Sequence, residues 1–273
     1  MKVGLIGCGA IGTALARMID SGEAGEAELS WVYDLRQECC RRLVAGLKKK
    51  PRILRRADEV YENRNANIVV EAASQEAVRQ YSLGILRSGK DLVILSVGAL
   101  SDDELLNRLR AEAQKRGRRI YIPSGAVVGI DGVKSLALRK IKEAELITRK
   151  PPSAFKDNEY LKGKKIRLTG LKSPKAIFRG TAREAVKLFP ASVNVAAALS
   201  LAGIGFDGTV VTIVADPRIK RNIHEIRIRG ESGEILSRSL NVPFPQAPRT
   251  SYLAALSAAR MLKNLSETLQ VGT

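Results

Sequence analysis

The sequence predicts an α/β fold in two parts, a doubly wound parallel sheet followed by a second α+β domain. Three observations predict it. A short apolar run, Lys2-Val-Gly-Leu-Ile6, leads straight into a glycine-spaced loop, Gly7-Cys8-Gly9-Ala10-Ile11-Gly12. Strand-length apolar runs then alternate with helix-length segments as far as Pro123. Beyond Pro123 the alternation gives way to consecutive strand patterns with a hairpin signal between two of them. Strands separated by helices imply a parallel sheet covered on both faces, whereas runs of strands indicate a separate α+β unit.

The elements follow in order. Lys2 to Ile6 reads as a buried parallel strand, and the helix from Ala10 to Ile19 carries Ile11, Leu15, Met18 and Ile19 at helical spacing. A second strand, about Glu28 to Tyr33, ends at Asp34, and a basic helix runs from Arg36 to about Lys48, before Pro51. Strands at 67–71, 91–95 and 119–122 alternate with helices at 75–86 and 102–115. In the second part, a helix near 131–141 leads to a strand near 145–148, and the Lys-rich stretch 150–165 reads as a long loop. Thr181-Ala-Arg-Glu184 is a capping box before a short helix ending at Pro190. A helix at 192–202 precedes strands at 209–215, 222–229 and 234–240, the last two joined by Gly230-Glu-Ser-Gly233. An Ala/Leu-rich helix from Ser251 to Leu265 closes the chain. The expected domains are a dinucleotide-binding unit over 1–123 and an α+β substrate and dimerisation unit over 124–249, with the helix within 250–267 packing back on the first.

Composition narrows the function classes. In 273 residues, 46 Lys and Arg face 28 Asp and Glu, a net charge of +18 whose field concentrates anions. The basic residues are spread along the chain rather than gathered in an arm, and no helix-turn-helix or aromatic-rich RNA-binding strand pair is visible, so nucleic acid is not the expected partner. Three cysteines without framework spacing fit a reducing compartment, and one His with no C-x-x-C leaves no zinc pattern. No basic leader precedes Lys2, and the longest apolar stretch, Val193 to Phe206, is too short to span a bilayer and carries Asn194. The expectation is a cytoplasmic protein without a membrane partner.

The glycine loop carries the strongest chemistry. Gly7 permits the turn off the strand, Gly9 lets a pyrophosphate approach the backbone, and Gly12 lets the helix pack close. The pyrophosphate then meets the amides and positive dipole of the helix that starts at Ala10 and Ile11. An acidic residue about 20 positions on completes the fingerprint of NAD or NADP binding, and Asp34 stands there. Asp34 suits the ribose hydroxyls of NAD, whereas Arg36 could pair with the extra phosphate of NADP, so the choice stays open. Small residues at strand ends, Ala73 and Ser74 within Glu71-Ala-Ala-Ser-Gln75, then Ser96-Val-Gly-Ala99 and Ser124-Gly-Ala126, leave room for the nicotinamide half or simply make tight turns. His224, the only histidine, titrates near neutrality when unperturbed and is either a proton-transfer group or a structural residue. Asn194 is either polar for function or a helix cap.

Taken together, these segments resemble the archaeal and bacterial L-aspartate dehydrogenases. The resemblance runs from Val3–Gly12 through Glu71–Gln75, Leu95–Ala99, Ser124–Ala126, Thr148–Lys150, Phe189–Pro190 and Asn194–Ala197 to Asn222–Ile226 and Thr250–Ala255. It implies NAD(P)-dependent oxidation of L-aspartate to iminoaspartate, which feeds NAD biosynthesis or hydrolyses to oxaloacetate and ammonia. It implies further that His224 is the active-site histidine, that Ala126 and Asn194 contact the cofactor, and that the protein is a homodimer. Two departures bear on the substrate: Val127-Val-Gly129 stands where the family typically has a Gly-Gly pair, and the polar stretch from Lys150 to Pro174 is long. The two carboxylates of the substrate require cationic partners. Arg149, Lys150 and Lys164 are the candidates, and the sequence does not rank them. The alternatives are a homoserine- or dihydrodipicolinate-type reductase of the same architecture, and a non-enzymatic cofactor sensor that binds nucleic acid.

Overall fold

The computed structural model describes residues 1–190, 193–244 and 247–272. The chain divides into two compact units, Met1–Pro123 with Ala254–Val271, and Ser124–Leu253 with Gly272.

The first unit is built on six strands, β1 (Lys2–Ile6), β2 (Glu28–Tyr33), β3 (Arg52–Ile53), β4 (Ile68–Glu71), β5 (Asp91–Ile94) and β6 (Ile120–Tyr121). All pair in parallel, in the order β3-β2-β1-β4-β5-β6. Consecutive residues of a strand point to opposite faces, so the unbroken burial of Ile68 to Glu71 and of Leu92 to Ile94 means that both faces are covered. Helices Ala10–Asp20, Gln37–Ala45, Gln75–Arg87 and Asp103–Arg116 make the connections. Two start on side-chain caps: Ser74 accepts from the Ala77 amide at 3.2 Å and Asp102 from the Leu105 amide at 3.1 Å. The final helix, Tyr252–Asn264, buries Ala258, Ala259 and Leu262, and its Lys263 lies against Gly25 of the first unit.

Two details differ from the sequence reading. The basic helix ends at Ala45 rather than near Lys48, and the Lys50 ammonium donates to the carbonyls of Val44, Ala45 and Leu47, satisfying its open end. The edge strand β3 and a one-turn helix at Glu59–Glu62 are too short to leave a periodic signal.

The second unit holds a five-stranded sheet of β7 (Ile141–Lys150), β8 (Lys175–Thr181), β9 (Thr209–Ala215), β10 (Asn222–Gly230) and β11 (Gly233–Asn241), in the order β11-β10-β7-β9-β8. Only β7 and β9 run parallel; the other three pairings are antiparallel. The hairpin is the one the sequence marks, with Gly230 paired to Gly233 across a two-residue turn. The Thr181 capping box is present in full, ahead of the helix Ala182–Leu188. The helix expected at 131–141 spans only Ile130–Leu136, and β7 starts at Ile141. Charged Lys142, Glu143 and Glu145 fit a helix pattern and a strand pattern equally well. The stretch expected as a loop contains two short turns, Pro152–Phe155 and Glu159–Gly163, which bury Phe155 and Leu161. The edge strand β8 was not legible, because its inward residues Ile177 and Phe178 are adjacent across a register irregularity. The apolar run 193–206 breaks at Gly203, leaving helices Asn194–Ala202 and Gly205–Gly208; Ser192, the expected first residue of the helix 192–202, lies outside the described residues. Among the described residues no helix is long and apolar enough to cross a membrane.

Candidate functional site

In the first unit, β1 lies between β2 and β4, so the connections leaving β1 and β4 diverge and open a crevice at their carboxyl ends. A cleft of about 340 Å³ sits there, lined among others by Gly7 and Gly9 after β1, Asp34 and Arg36 after β2, and Ala73 and Ser74 after β4. Gly7 has φ of +98°, and a Cβ on it would stand 2.6 Å from the Ala72 carbonyl oxygen, so the turn off β1 demands glycine twice over. A Cβ on Gly12 would overlap the carbonyl oxygen of Gly7, which is the close helix approach the motif requires. A Cβ on Gly9 would meet nothing within 4 Å, so the loop presents bare backbone to open space at the helix N-terminus. Ala10 and Ile11 form the first turn of that helix, where amides have no intrahelical acceptor. This cradle fits a dinucleotide pyrophosphate.

Asp34 is largely buried and its carboxylate is already oriented. Its Oδ2 accepts the Cys8 amide at 2.8 Å and its Oδ1 the Arg36 amide at 2.9 Å. The Arg36 guanidinium, by contrast, is 77% exposed. Sequence reasoning missed Glu71 as a contributor. This carboxylate is buried at the end of β4; its Oε1 accepts the amides of Ala73 and Ser74 at 2.7 and 2.9 Å and the Ser96 hydroxyl at 2.8 Å. Its Oε2 accepts the Ser96 amide at 3.0 Å. Burial raises its pKa, and the four donors oppose that shift. Glu71 therefore locks two strand-end turns together, and the signal available was an acid closing the otherwise apolar Ile68-Val-Val run. All three cysteines are free, and the thiols of Cys8 and Cys40 touch at 3.6 Å. That thiol contact and burial push the Cys8 pKa up, so Cys8 is an inert part of the loop.

In the second unit, His224 sits on β10 opposite Thr148 of β7 and Ser239 of β11. Its ring is buried, with Nδ1 3.0 Å from the Thr148 hydroxyl. The inward face around it is polar at one end: Thr148, Lys150, Asn222, Ser239 and Asn241 are all buried. Ser239 and Asn241 donate to the Ala126 carbonyl at 2.8 and 3.0 Å, so the structure brings Ala126 to the same polar row as His224. Asn194 is half-buried at the first position of its helix, whose N-cap, Val193, supplies no side-chain cap. Burial first, and the Lys150 charge second, lower the His224 pKa to about 3. The ring is therefore neutral at physiological pH. For Nε2 to accept a proton, Nδ1–H must donate to the Thr148 hydroxyl.

The candidate carboxylate ligands separate here. Arg149 lies on the opposite face of β7 and pairs with Glu225 at 3.4 Å, while Lys164 is exposed. Lys150 alone shares the buried face with His224.

Comparison with known proteins follows the same division. Residues 7–123 match the family described as "Homoserine dehydrogenase, NAD binding domain", and residues 131–265 match "Aspartate dehydrogenase, C-terminal". Over its whole length the chain is 46% identical to the L-aspartate dehydrogenase of Methanococcoides burtonii, the whole of which it covers. It is 44% identical, again over its full length, to 99% of the L-aspartate dehydrogenase of Methanocella arvoryzae. Among solved structures, the aspartate dehydrogenase of Thermotoga maritima superposes with a TM-score of 0.78 at 31% identity, covering 100% of this chain and 99% of that one.

Proposed function

The chain belongs to the L-aspartate dehydrogenase family, and we propose that it performs the reaction its relatives are named for. L-Aspartate, with NAD(P)+, gives iminoaspartate, NAD(P)H and a proton; water then converts the imine to oxaloacetate and ammonia. The observation that carries this reading is the buried, neutral His224, held by Thr148 within the half that matches the aspartate dehydrogenase profile. The homoserine-type match is confined to the cofactor half, which different dehydrogenases share.

The first unit's residues hold the cofactor. The amides around Gly9, Ala10 and Ile11 receive the pyrophosphate, and Ala73 and Ser74 leave the strand ends uncrowded. Asp34, oriented by two amides, receives ribose hydroxyls, which favours NAD over NADP. When bound, the nicotinamide ring accepts the hydride leaving the substrate Cα. The second unit supplies proton transfer: His224, fixed by Thr148, takes a proton from the substrate amine or from the water that attacks the imine. Ala126 and Asn194 are assigned to the cofactor's nicotinamide side on family resemblance.

Mixing the protein with NAD+ and L-aspartate should raise absorbance at the NADH band. The specificity constant should be higher with NAD+ than with NADP+, and L-homoserine should give no signal. Absence of turnover with L-aspartate under either cofactor would overturn the reading. Free thiols at Cys8, Cys39 and Cys40 support a cytoplasmic location.

We also propose a homodimer. The outward face of β11 exposes Leu236 and Leu240 on either side of Arg238, which pairs with Glu225, and a second copy of the chain would cover these side chains. Sedimentation of the intact chain should read twice its 29.7 kDa, and Leu236→Arg with Leu240→Arg should reduce it to one.

A further inference from the structure

Strand β11 carries a row of small polar side chains next to His224. Its outward residues Glu234, Leu236, Arg238 and Leu240 are exposed, so Ile235, Ser237, Ser239 and Asn241 face inward. Serine and asparagine at inward positions have to find partners, because an unpaired buried polar group is costly. All three find them on one segment of backbone. Ser239 and Asn241 both donate to the Ala126 carbonyl, at 2.8 and 3.0 Å, and the Asn241 carboxamide also donates to the Ser239 hydroxyl at 3.1 Å. Ser237 donates to the Val128 carbonyl at 2.9 Å.

Register puts this clamp in line with the histidine. Thr148, His224 and Ser239 pair across β7, β10 and β11, so one transverse row runs from the Thr148 hydroxyl through the imidazole to the Ser239 hydroxyl, which extends it to Ala126. Neighbouring strands lie about 4.8 Å apart, so the sheet itself sets the spacing between the imidazole and the clamp. The segment then follows β11 onward: a Cβ on Gly129 would meet Ser237 and Ile235, and one on Gly132 would stand 2.9 Å from the Ile235 side chain. Two donors anchored two residues apart on one strand fix the direction of the Ala126 carbonyl as well as its position. A trans peptide points its N–H opposite to its C=O, so the Val127 amide is turned away from β11.

We propose that Ser239 and Asn241 are positioning residues of the reaction: they hold the Ala126 segment at a set spacing from His224, so that the nicotinamide end of the cofactor is presented in register with the proton-transfer group. This rests on the assignment of Ala126 to the nicotinamide side given above. The clamp bonds to main-chain carbonyls alone, so the departure at Val127-Val-Gly129 leaves it intact.

Titration of the intact protein with NADH and with ADP-ribose, which lacks the nicotinamide, tests it in Ser239→Ala, Asn241→Ala, Ser239→Thr and Ala126→Val, with thermal midpoint and steady-state kinetics read for each. Ser239→Ala and Asn241→Ala should weaken NADH binding by about tenfold, as loss of a buried hydrogen bond predicts, and ADP-ribose binding by less than about threefold. In both, kcat for L-aspartate should fall further than KM rises. Ser239→Thr keeps the hydroxyl and should bring NADH affinity back to within about threefold of wild type. Should Asn241→Ala fail to fold, the contrast between Ser239→Ala and Ser239→Thr decides. A lower thermal midpoint with an unchanged ratio of NADH to ADP-ribose affinity in the folded alanine variants would make the clamp a structural contact only and overturn the proposal. If Ala126→Val lowers that ratio while the alanine variants do not, the Ala126 assignment stands and the positioning role falls. If Ala126→Val also leaves the ratio unchanged, the Ala126 assignment falls with it.

Discussion

Replacing His224 by alanine is expected to lower kcat for L-aspartate by about 10²–10⁴-fold, the range a positioned proton-transfer group contributes. NADH binding should be unchanged, because the residues assigned to the cofactor's pyrophosphate and ribose belong to the first unit. The magnitude follows from the state of the ring. With its pKa lowered to about 3 by burial and by Lys150, the imidazole is neutral in the substrate-free protein at neutral pH, ready to accept a proton but a weak base. Alanine removes the acceptor altogether. His224→Asn keeps a polar group for Thr148 but cannot take the proton, so it should lose comparable activity.

The same lowered pKa makes a stability statement. The folded ring holds off protonation to about pH 3, whereas the unfolded chain takes up that proton near pH 6.5. Between those values the unfolded state binds more protons, so stability falls as the pH drops from 6.5 toward 3. His224→Ala should flatten that part of the dependence of thermal midpoint on pH. A loss of turnover below tenfold, with NADH binding and thermal midpoint preserved, would remove His224 from the proton-transfer role.

Legibility in the sequence tracked how local the physical signal was. The turn at Gly7, the acid at Asp34 and the capping box at Thr181 each depend on a few neighbouring residues, and each stands where the sequence puts it. Glu71 was less accessible, because its four hydrogen-bond donors come from two separate strand-end turns, and only the fold brings Ser96, 25 residues along the chain, to it. The ranking of Arg149 against Lys150 needed register. Adjacent residues on a strand face opposite sides, but which side is buried is decided by partner strands 60 or more residues away in the chain. The stretch 150–165 misled for a related reason: its Lys-rich composition reads as loop, while the residues that order it, Phe155 and Leu161, are too sparse to show a period.

A pair of glycine substitutions should separate the two jobs of the phosphate loop. Gly9→Ala is expected to leave the thermal midpoint of the free protein nearly unchanged and to weaken NADH binding by about tenfold or more, which corresponds to about 1.4 kcal/mol or more. Gly9 has extended backbone angles that alanine adopts freely, φ −77° and ψ −163°, and its Cβ would project into open space. The new methyl group therefore costs nothing until a pyrophosphate tries to reach the amides beneath it. Gly12→Ala should behave in the opposite order. Its Cβ would overlap the Gly7 carbonyl oxygen, a backbone atom in a turn held by the bond from the Gly7 amide to the Tyr33 carbonyl at 2.8 Å, so no side chain can swing aside. Helix Ala10–Asp20 must shift away from β1, and overpacking of this kind costs about 1–3 kcal/mol. The thermal midpoint should drop in the free protein, with cofactor affinity falling as a consequence. Fluorescence titration with NADH and thermal unfolding of both variants read the two effects separately. Full NADH affinity in Gly9→Ala would mean that the pyrophosphate does not rest on this loop, and the cofactor assignment of the first unit would have to move to another edge of the sheet.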